Sequence, residues 1–446
     1  MKPVAPDNIA SASGSTPTSQ KGCDTGSRTT NDIEEGYHVY HHGGFHPVYI
    51  GDVYNDSYEV LNKIGYGAYS TVWLVRNLRK DKDDAHGFLA LKVLSAESYG
   101  AEKDIFEREI LIRLRSGDST YLGYKHVCHL VDDFEHKGPN GNHICLVFEV
   151  FGETLRSFGA WFPESMIPNQ VMRRFTIQLL LALDYAHHYK VIHTGISFYF
   201  LLYCTLLEVH DSNSRLLSDI QPSNIFVKLR DPTLITTGYL ASVPIPQQDR
   251  AEERYTPIPS RPLRRHYFRD GDRVDLFDIA LGDWGVSSWV DRHLTETIQP
   301  VALRAPEVLI KAPWDTAADM WNLGAVVLEL FRAVRIFSGA GPPRGEYQLK
   351  VHLSEIVHLF GSFPRSLLDR GNQQIVREIF DGQGKVNDGI ISADSPVLMS
   401  EEFTPGLEQD VRDEFVAFLH LVMKIEPTER PTPEDALRGP WLRALQ

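Results

Sequence analysis

A chain of 446 residues with 42% hydrophobic and 23% charged residues can bury a large core, which excludes wholesale disorder and fits one large enzyme domain with lobes and loops. The net charge of -14 argues against nucleic acid as the main partner and leaves basic peptides as substrates. Cys23, Cys128, Cys145 and Cys204 show no CxxC spacing, the first residues lack a signal-peptide core, and the longest apolar run, Ile196 to Leu207, is too short to span a bilayer. A soluble intracellular protein with free thiols is expected.

Residues 1 to 33, rich in Ser, Thr, Gly and Pro, cannot offset ordering entropy and are predicted to be a disordered tail, followed by an N-terminal extension over 34 to 57. His38, His41, His42 and His46 lack a matching Cys or acidic ligand pattern, so they read as structural or solvated rather than metal-binding. From Tyr58 two β-rich runs are joined through glycines. Gly65 and Gly67 are either those of an ordinary hairpin turn or glycines that would let the backbone approach phosphates, in which case Ile64 and Val72 flank them as nucleotide contacts, with Val72 placed to cover an adenine ring. A third strand, Phe88 to Leu94, carries Ala90 and a single Lys92 in an otherwise buried run, so Lys92 needs an acidic partner. The next segment, Glu102 to Leu114, has helical apolar spacing. Glu109 is the expected partner, with Glu107 the rival if the register shifts.

His143 to Gly152 reads by itself as a buried core strand running into a connector; in a bilobal nucleotide-binding enzyme Phe148 would line the back of the adenine pocket and the backbone of Glu149 to Phe151 would hydrogen-bond the base. A long helix, Gln170 to Tyr189, leads to Val191-Ile-His-Thr194, and the chain resumes as Asp219-Ile-Gln-Pro-Ser-Asn224 after 24 intervening residues. Joined directly, these halves would place an Asp five residues before an Asn, the spacing of a phosphoryl-transfer loop in which the Asp accepts a hydroxyl proton and the Asn holds a metal ion. Residues from about 230 to 275, dotted with prolines and carrying Arg261, Arg264, Arg265 and Arg269, read as an extended surface insertion whose arginines are solvated or form a docking patch. Order returns at Asp283-Trp-Gly285, then Ala305-Pro-Glu307, then Asp319-Met-Trp-Asn-Leu-Gly324. Arg430 is expected to be the buried partner of Glu307.

This ordered series resembles a eukaryotic protein kinase over about residues 54 to 445. Gly43-Gly-Phe-His-Pro-Val-Tyr-Ile-Gly-Asp52, Ser70-Thr-Val-Trp-Leu74, Cys145-Leu-Val-Phe-Glu149 and His193-Thr194 resemble the SR-protein kinases, and the long segment before Asp283 resembles their compact filamentous-fungal members. The resemblance implies an α+β, bilobal fold, with a small β-rich lobe over 58 to 150 and a larger helical lobe over 151 to 445. It implies transfer of the ATP γ-phosphoryl to Ser or Thr of protein substrates, Arg/Ser-rich in that group, by a monomer of the cytoplasm or nucleus that binds neither nucleic acid nor membrane. Asp219 would accept the proton, Asn224 and Asp283 would hold Mg2+, and Lys92, oriented by Glu109, would reach the α- and β-phosphates. Thr194 stands where the family has an Arg that reads a phosphorylated activation loop, so activity independent of that phosphorylation is expected. Gln221 replaces a Lys near the γ-phosphate, Trp284 replaces Phe or Leu, and the segment Tyr347 to Gly361 lacks the acids of the family's docking helix.

The break from Gly195 to Ser218 closes a loop at a cost of only about 2 to 3 kcal/mol, so the fold can survive it, but a bulge directly before Asp219 loosens catalytic geometry. The genetic code offers an origin. An intron interrupting the Asp codon after its first G opens with GT, which makes Gly195, and ends in CAG, which completes Ser218 and begins Asp219. A retained intron of 24 whole codons therefore fits both junctions. A Ser/Thr kinase whose active form lacks the segment is the first reading. A pseudokinase that binds nucleotide or acts as a scaffold is the alternative.

Overall fold

The structure is a computed structural model that describes residues 35–82, 84, 86–99, 105–195, 224–248, 250, 255–332, 336–341, 345–387, 391–392 and 394–443. The tail 1–33, and with it Cys23, lies outside the described residues, as do Cys204 and most of the break before Asn224. Six strands, β1 (Val53–Tyr54), β2 (Tyr58–Gly67), β3 (Ser70–Asn77), β4 (Phe88–Leu94), β5 (Leu130–Gly138) and β6 (Gly141–Phe148), form one antiparallel sheet in the order β1-β2-β3-β4-β6-β5. Successive side chains of a strand face opposite sides, and β4 uses both. Leu89, Leu91 and Val93 enter an outer core with Trp73, Val75 and Val147, and the N-terminal extension covers that core with Val48 and Tyr54. Ala90 and Lys92 thereby face the other way, toward the cleft.

The extension is tied down by more than apolar contact. Lys63 of β2, buried completely, donates at 2.5 Å to both oxygens of Glu35, and the Tyr40 hydroxyl donates to Glu35 at 2.7 Å. A buried ammonium this well enclosed is tolerable only because its carboxylate partner is buried with it. His46 packs its ring against His136 and His143, at centroid separations of 4.6 and 4.9 Å, so the structural reading holds for this histidine. His38, His41 and His42 are exposed, and among the described residues no cluster of three His, Cys, Asp or Glu is arranged to hold a metal.

Below the sheet, β7 (Phe151–Thr154), β9 (Ile225–Lys228) and β10 (Ile279–Leu281) form a small sheet in the order β10-β9-β7, and β8 (Val191–Ile192) pairs with β11 (Ser288–Trp289). They lie on a helical lobe that includes Asn169–His188, Ala317–Arg332, Leu349–Phe360 and Gln409–Val422. Trp321 and Phe337 stack at 6.0 Å within it, and Arg430 grips both oxygens of Glu307 at 2.7 Å with both side chains fully buried, the pairing expected from sequence. Among the described residues no helix is long and apolar enough to cross a membrane, and Cys128 and Cys145 are buried free thiols.

The proline-rich insertion is more firmly held than its composition suggests. Ile235, Tyr239 and Leu263 are buried against Leu61, Leu74 and Phe88 of the sheet, and the Arg261 amide donates to Lys63 O at 2.8 Å. Its arginines are divided among neighbours: Arg269 pairs with Asp231, Arg265 lies over the Trp161 ring, and Arg261 reaches Pro244 O. Prolines spaced along an extended chain leave large apolar side chains between them free to anchor it, which composition alone does not reveal.

Candidate active site

Lys92 donates to Glu107 Oε1 at 2.5 Å and lies 3.6 Å from Asp283 Oδ1. Burial works against the ammonium, but the Glu107 and Asp283 carboxylates outweigh it and raise its pKa above the ordinary lysine value, so Lys92 stays charged. The expected partner Glu109 is not there: it is exposed on the opposite side of the helix. The helix spans Glu107–Arg115 and buries Glu107, Ile110, Leu111 and Leu114, an i, i+3, i+4, i+7 stripe to which Glu107 belongs. A residue two further along is turned by about 200° away from the stripe. The helix begins at Glu107, so Ile105 and Phe106, which belong to the apolar spacing of Glu102 to Leu114, lie outside it, and the face they would set beside Glu109 does not form.

Strand register assembles the remaining cleft residues. Gly65 pairs with Val72, Val72 with Lys92, and Ala90 with Phe148, which brings the glycine-rich turn, the lysine and the connector strand side by side. Ile64, Val72 and Phe148 are half-buried, Glu149 is exposed, and Phe151 meets Phe226 with ring centroids 5.5 Å apart. Phe226, two residues after Asn224, is a neighbour of Phe151 that sequence reasoning did not single out.

The first half of the broken loop is docked by a residue recognised only as part of a motif. Asp319, buried at the start of its helix, accepts from the His193 amide, the Thr194 amide and His187 Nε2, each at 2.9 Å. His193 Nε2 meets Gly282 O at 2.9 Å, and the Thr194 hydroxyl donates to Val286 O at 2.8 Å. Thr194 holds a positive φ of 60°, a costly conformation for a β-branched residue, and Gly195 follows with the same φ. The second half is docked from the other side: the Gly282 amide donates to Asn224 O at 2.8 Å and Leu281 pairs with Ile225, which sets Asn224 beside Asp283. A carboxylate and a side-chain amide, both hard oxygen donors, suit a magnesium ion, and the Asp283 side chain is 36% exposed toward the cleft. Asp219 and Gln221 lie outside the described residues. Between the two docked ends is a cavity of about 40 Å³ lined by Leu183, His193, Ile225, Leu281, Asn322 and Leu323 among others.

A small sheet lobe over a helical lobe, with a lysine–carboxylate pair at the cleft and a docked loop beneath it, defines a protein kinase architecture. A solved kinase-domain crystal structure shares it with a TM-score of 0.60 at 19% identity, covering 89% of this chain and 98% of that one. The protein kinase domain family matches residues 58–197 and 269–442, on either side of the broken loop and insertion. The serine/threonine-protein kinase SRPK of Physarum polycephalum is 30% identical, covering 92% of this chain and 91% of its own. Protein kinase dsk1 of Schizosaccharomyces pombe is 28% identical over 92% of this chain and 85% of its own, and human SRSF protein kinase 3 is 25% identical over 90% and 88%. The chain belongs to the protein kinase family, within its SR-protein-kinase-like serine/threonine group. Nothing in these relationships favours a pseudokinase.

Proposed function

We propose that this protein transfers the γ-phosphoryl of ATP to Ser or Thr side chains of proteins, in a form in which Thr194 and Asp219 are neighbours. The observation that carries this reading is that both ends of the break are docked by different anchors, Asp319 on one side and the Gly282–Asn224 bond on the other. A loop already seated at both ends is completed by the short link from Asp219 to Ser223. Lys92, held by Glu107, binds the phosphates. Ile64, Gly65, Gly67, Val72, Ala90, Phe148 and the backbone from Glu149 to Phe151 bind the remainder of the nucleotide. Asn224 and Asp283 would hold Mg2+, which neutralises charge on the phosphates when bound. Asp219 takes the proton of the attacking hydroxyl. Gln221 supplies no cation, so part of the transition-state stabilisation common to the family is absent. The Thr194 hydroxyl, bound to Val286 O, ties the catalytic loop to the activation segment directly, which supports turnover without phosphorylation there.

The substrates are proteins, docked differently from arginine-tract recognition on an acidic helix. In Leu349–Phe360 the one acid, Glu355, accepts from Ser338 Oγ at 2.7 Å and the Gly339 amide at 3.0 Å, and His352 is fully buried against Phe337. The test compares phosphotransfer to a Ser-containing protein by the full chain and by a form lacking residues 195 to 218. Activity only in the shortened form is expected. Activity in both would show that the segment is tolerated, and activity in neither would refute the catalytic reading.

A further inference from the structure

Tyr69 closes the glycine-rich turn between β2 and β3, and its side chain points inward beneath that turn. Its carbonyl accepts from the Ser95 amide at 2.7 Å, which pins the backbone, and the Lys92 ammonium stands 5.4 Å from its ring centroid. The hydroxyl reaches across to the Asp283-Trp284-Gly285 segment. A Cβ built on Gly285 would lie 1.6 Å from that oxygen and 3.3 Å from Glu107 Oε2. The phenol thus spans from the glycine-rich loop to Gly285 through the space bounded by Lys92, Glu107 and Asp283. Burial, then the Glu107 and Asp283 charges, hold its pKa well above the ordinary tyrosine value, so it stays neutral.

Strand register sets Gly65 beside Val72 and Val72 beside Lys92, with the Tyr69 ring next to the ammonium, so a triphosphate held by both the glycine-rich turn and Lys92 on the reading given above must share that space with the ring. We propose that Tyr69 is an internal stand-in for the nucleotide's phosphates: its ring faces Lys92 in the nucleotide-free protein and must swing out before the triphosphate can bind. The inference rests on the ATP-binding reading and deepens it. A ring over a partly desolvated ammonium is favourable, so the ring-in state predominates and the apparent affinity for the triphosphate is reduced by the fraction of ring-out molecules. Adenosine, which has no phosphates, does not compete with the phenol.

The experiment measures binding of MgATP and of adenosine by calorimetry to the full chain, to Tyr69→Ala and to Gly285→Ala. The second variant keeps the tyrosine but places a methyl where its hydroxyl now sits, so it expels the ring by an independent route. Both variants are expected to bind MgATP about threefold to tenfold more tightly than the parent, with adenosine affinity unchanged. Unchanged or weaker MgATP binding by both variants, with adenosine still bound, would overturn the proposal and make Tyr69 a bystander or a strut. Failure of all three proteins to bind either ligand would instead refute the nucleotide-binding reading, and the proposal with it.

Discussion

Replacing Asp319 by Asn isolates the anchor of the catalytic loop. Oδ2 accepts from the His193 amide and His187 Nε2, and Oδ1 accepts from the Thr194 amide, all at 2.9 Å, with the residue 3% exposed. Hydrogen bonds to a charged group contribute about 1.5 to 3 kcal/mol each. Asn can keep its oxygen toward the two donors on the Oδ2 side, but it then presents an NH2 group to the Thr194 amide, leaving two donors face to face. Weakening two bonds and breaking one gives an expected loss of about 3 to 5 kcal/mol, a large share of a typical folding free energy of about 5 to 15 kcal/mol. Urea unfolding reads this as a lower midpoint at unchanged slope, and hydrogen exchange reads it as lost protection at the amides of His193 and Thr194. The pH dependence supplies a second check. Burial pushes the Asp319 carboxyl up, but the bond and charge of His187, the charge of His193 and the His193 amide outweigh it and lower its pKa below 3.8. The folded state therefore binds this proton less readily than the unfolded chain, so the stabilisation is present above about pH 3.8 and is lost as pH falls through the lowered value. Asp319→Asn removes that part of the acid sensitivity. A loss under about 1 kcal/mol with unchanged amide protection would refute this account.

In the form lacking residues 195 to 218, Glu107→Gln is expected to cut phosphotransfer at least about tenfold by loosening Lys92, whereas Glu109→Gln, on the exposed side of the helix, stays within about 0.5 kcal/mol in stability and leaves turnover unchanged. Steady-state kinetics on the two variants decide between them, and equal effects would contradict the observed helix register. Glu35→Ala leaves the Lys63 ammonium buried without its carboxylate and is expected to cost about 3 to 5 kcal/mol, while Glu35→Leu combined with Lys63→Met recovers stability to within about 1 kcal/mol of the parent. Thermal melts of both proteins check this, and a double variant as unstable as the single one would show that the pair itself, rather than the unpaired charge, holds the extension.

Much of the molecule follows from residue order alone. Period-2 alternation in Phe88 to Leu94 places Lys92 on the face opposite Leu89, Leu91 and Val93, and the order of motifs from Gly65 to Arg430 implies a two-lobed kinase because local patterns and chain order are properties of sequence. The identity of the lysine's partner was not legible, since it depends on where a helix begins, and a shift of two residues turns a side chain by about 200°. Distance in sequence hid other features. Asp319 is 125 residues from the Thr194 amide it holds, and Glu35 is 28 residues from Lys63. Only folding makes neighbours of them. The sequence reading does not single out Tyr69, and it takes the packed cleft, with Gly285 leaving room for its hydroxyl, to place it against Lys92. Sequence thus determined which chemistry the chain carries and in what order. Tertiary structure decided which charges pair, which insertion side chains are buried and what occupies the cleft, because those depend on contacts between segments far apart along the chain.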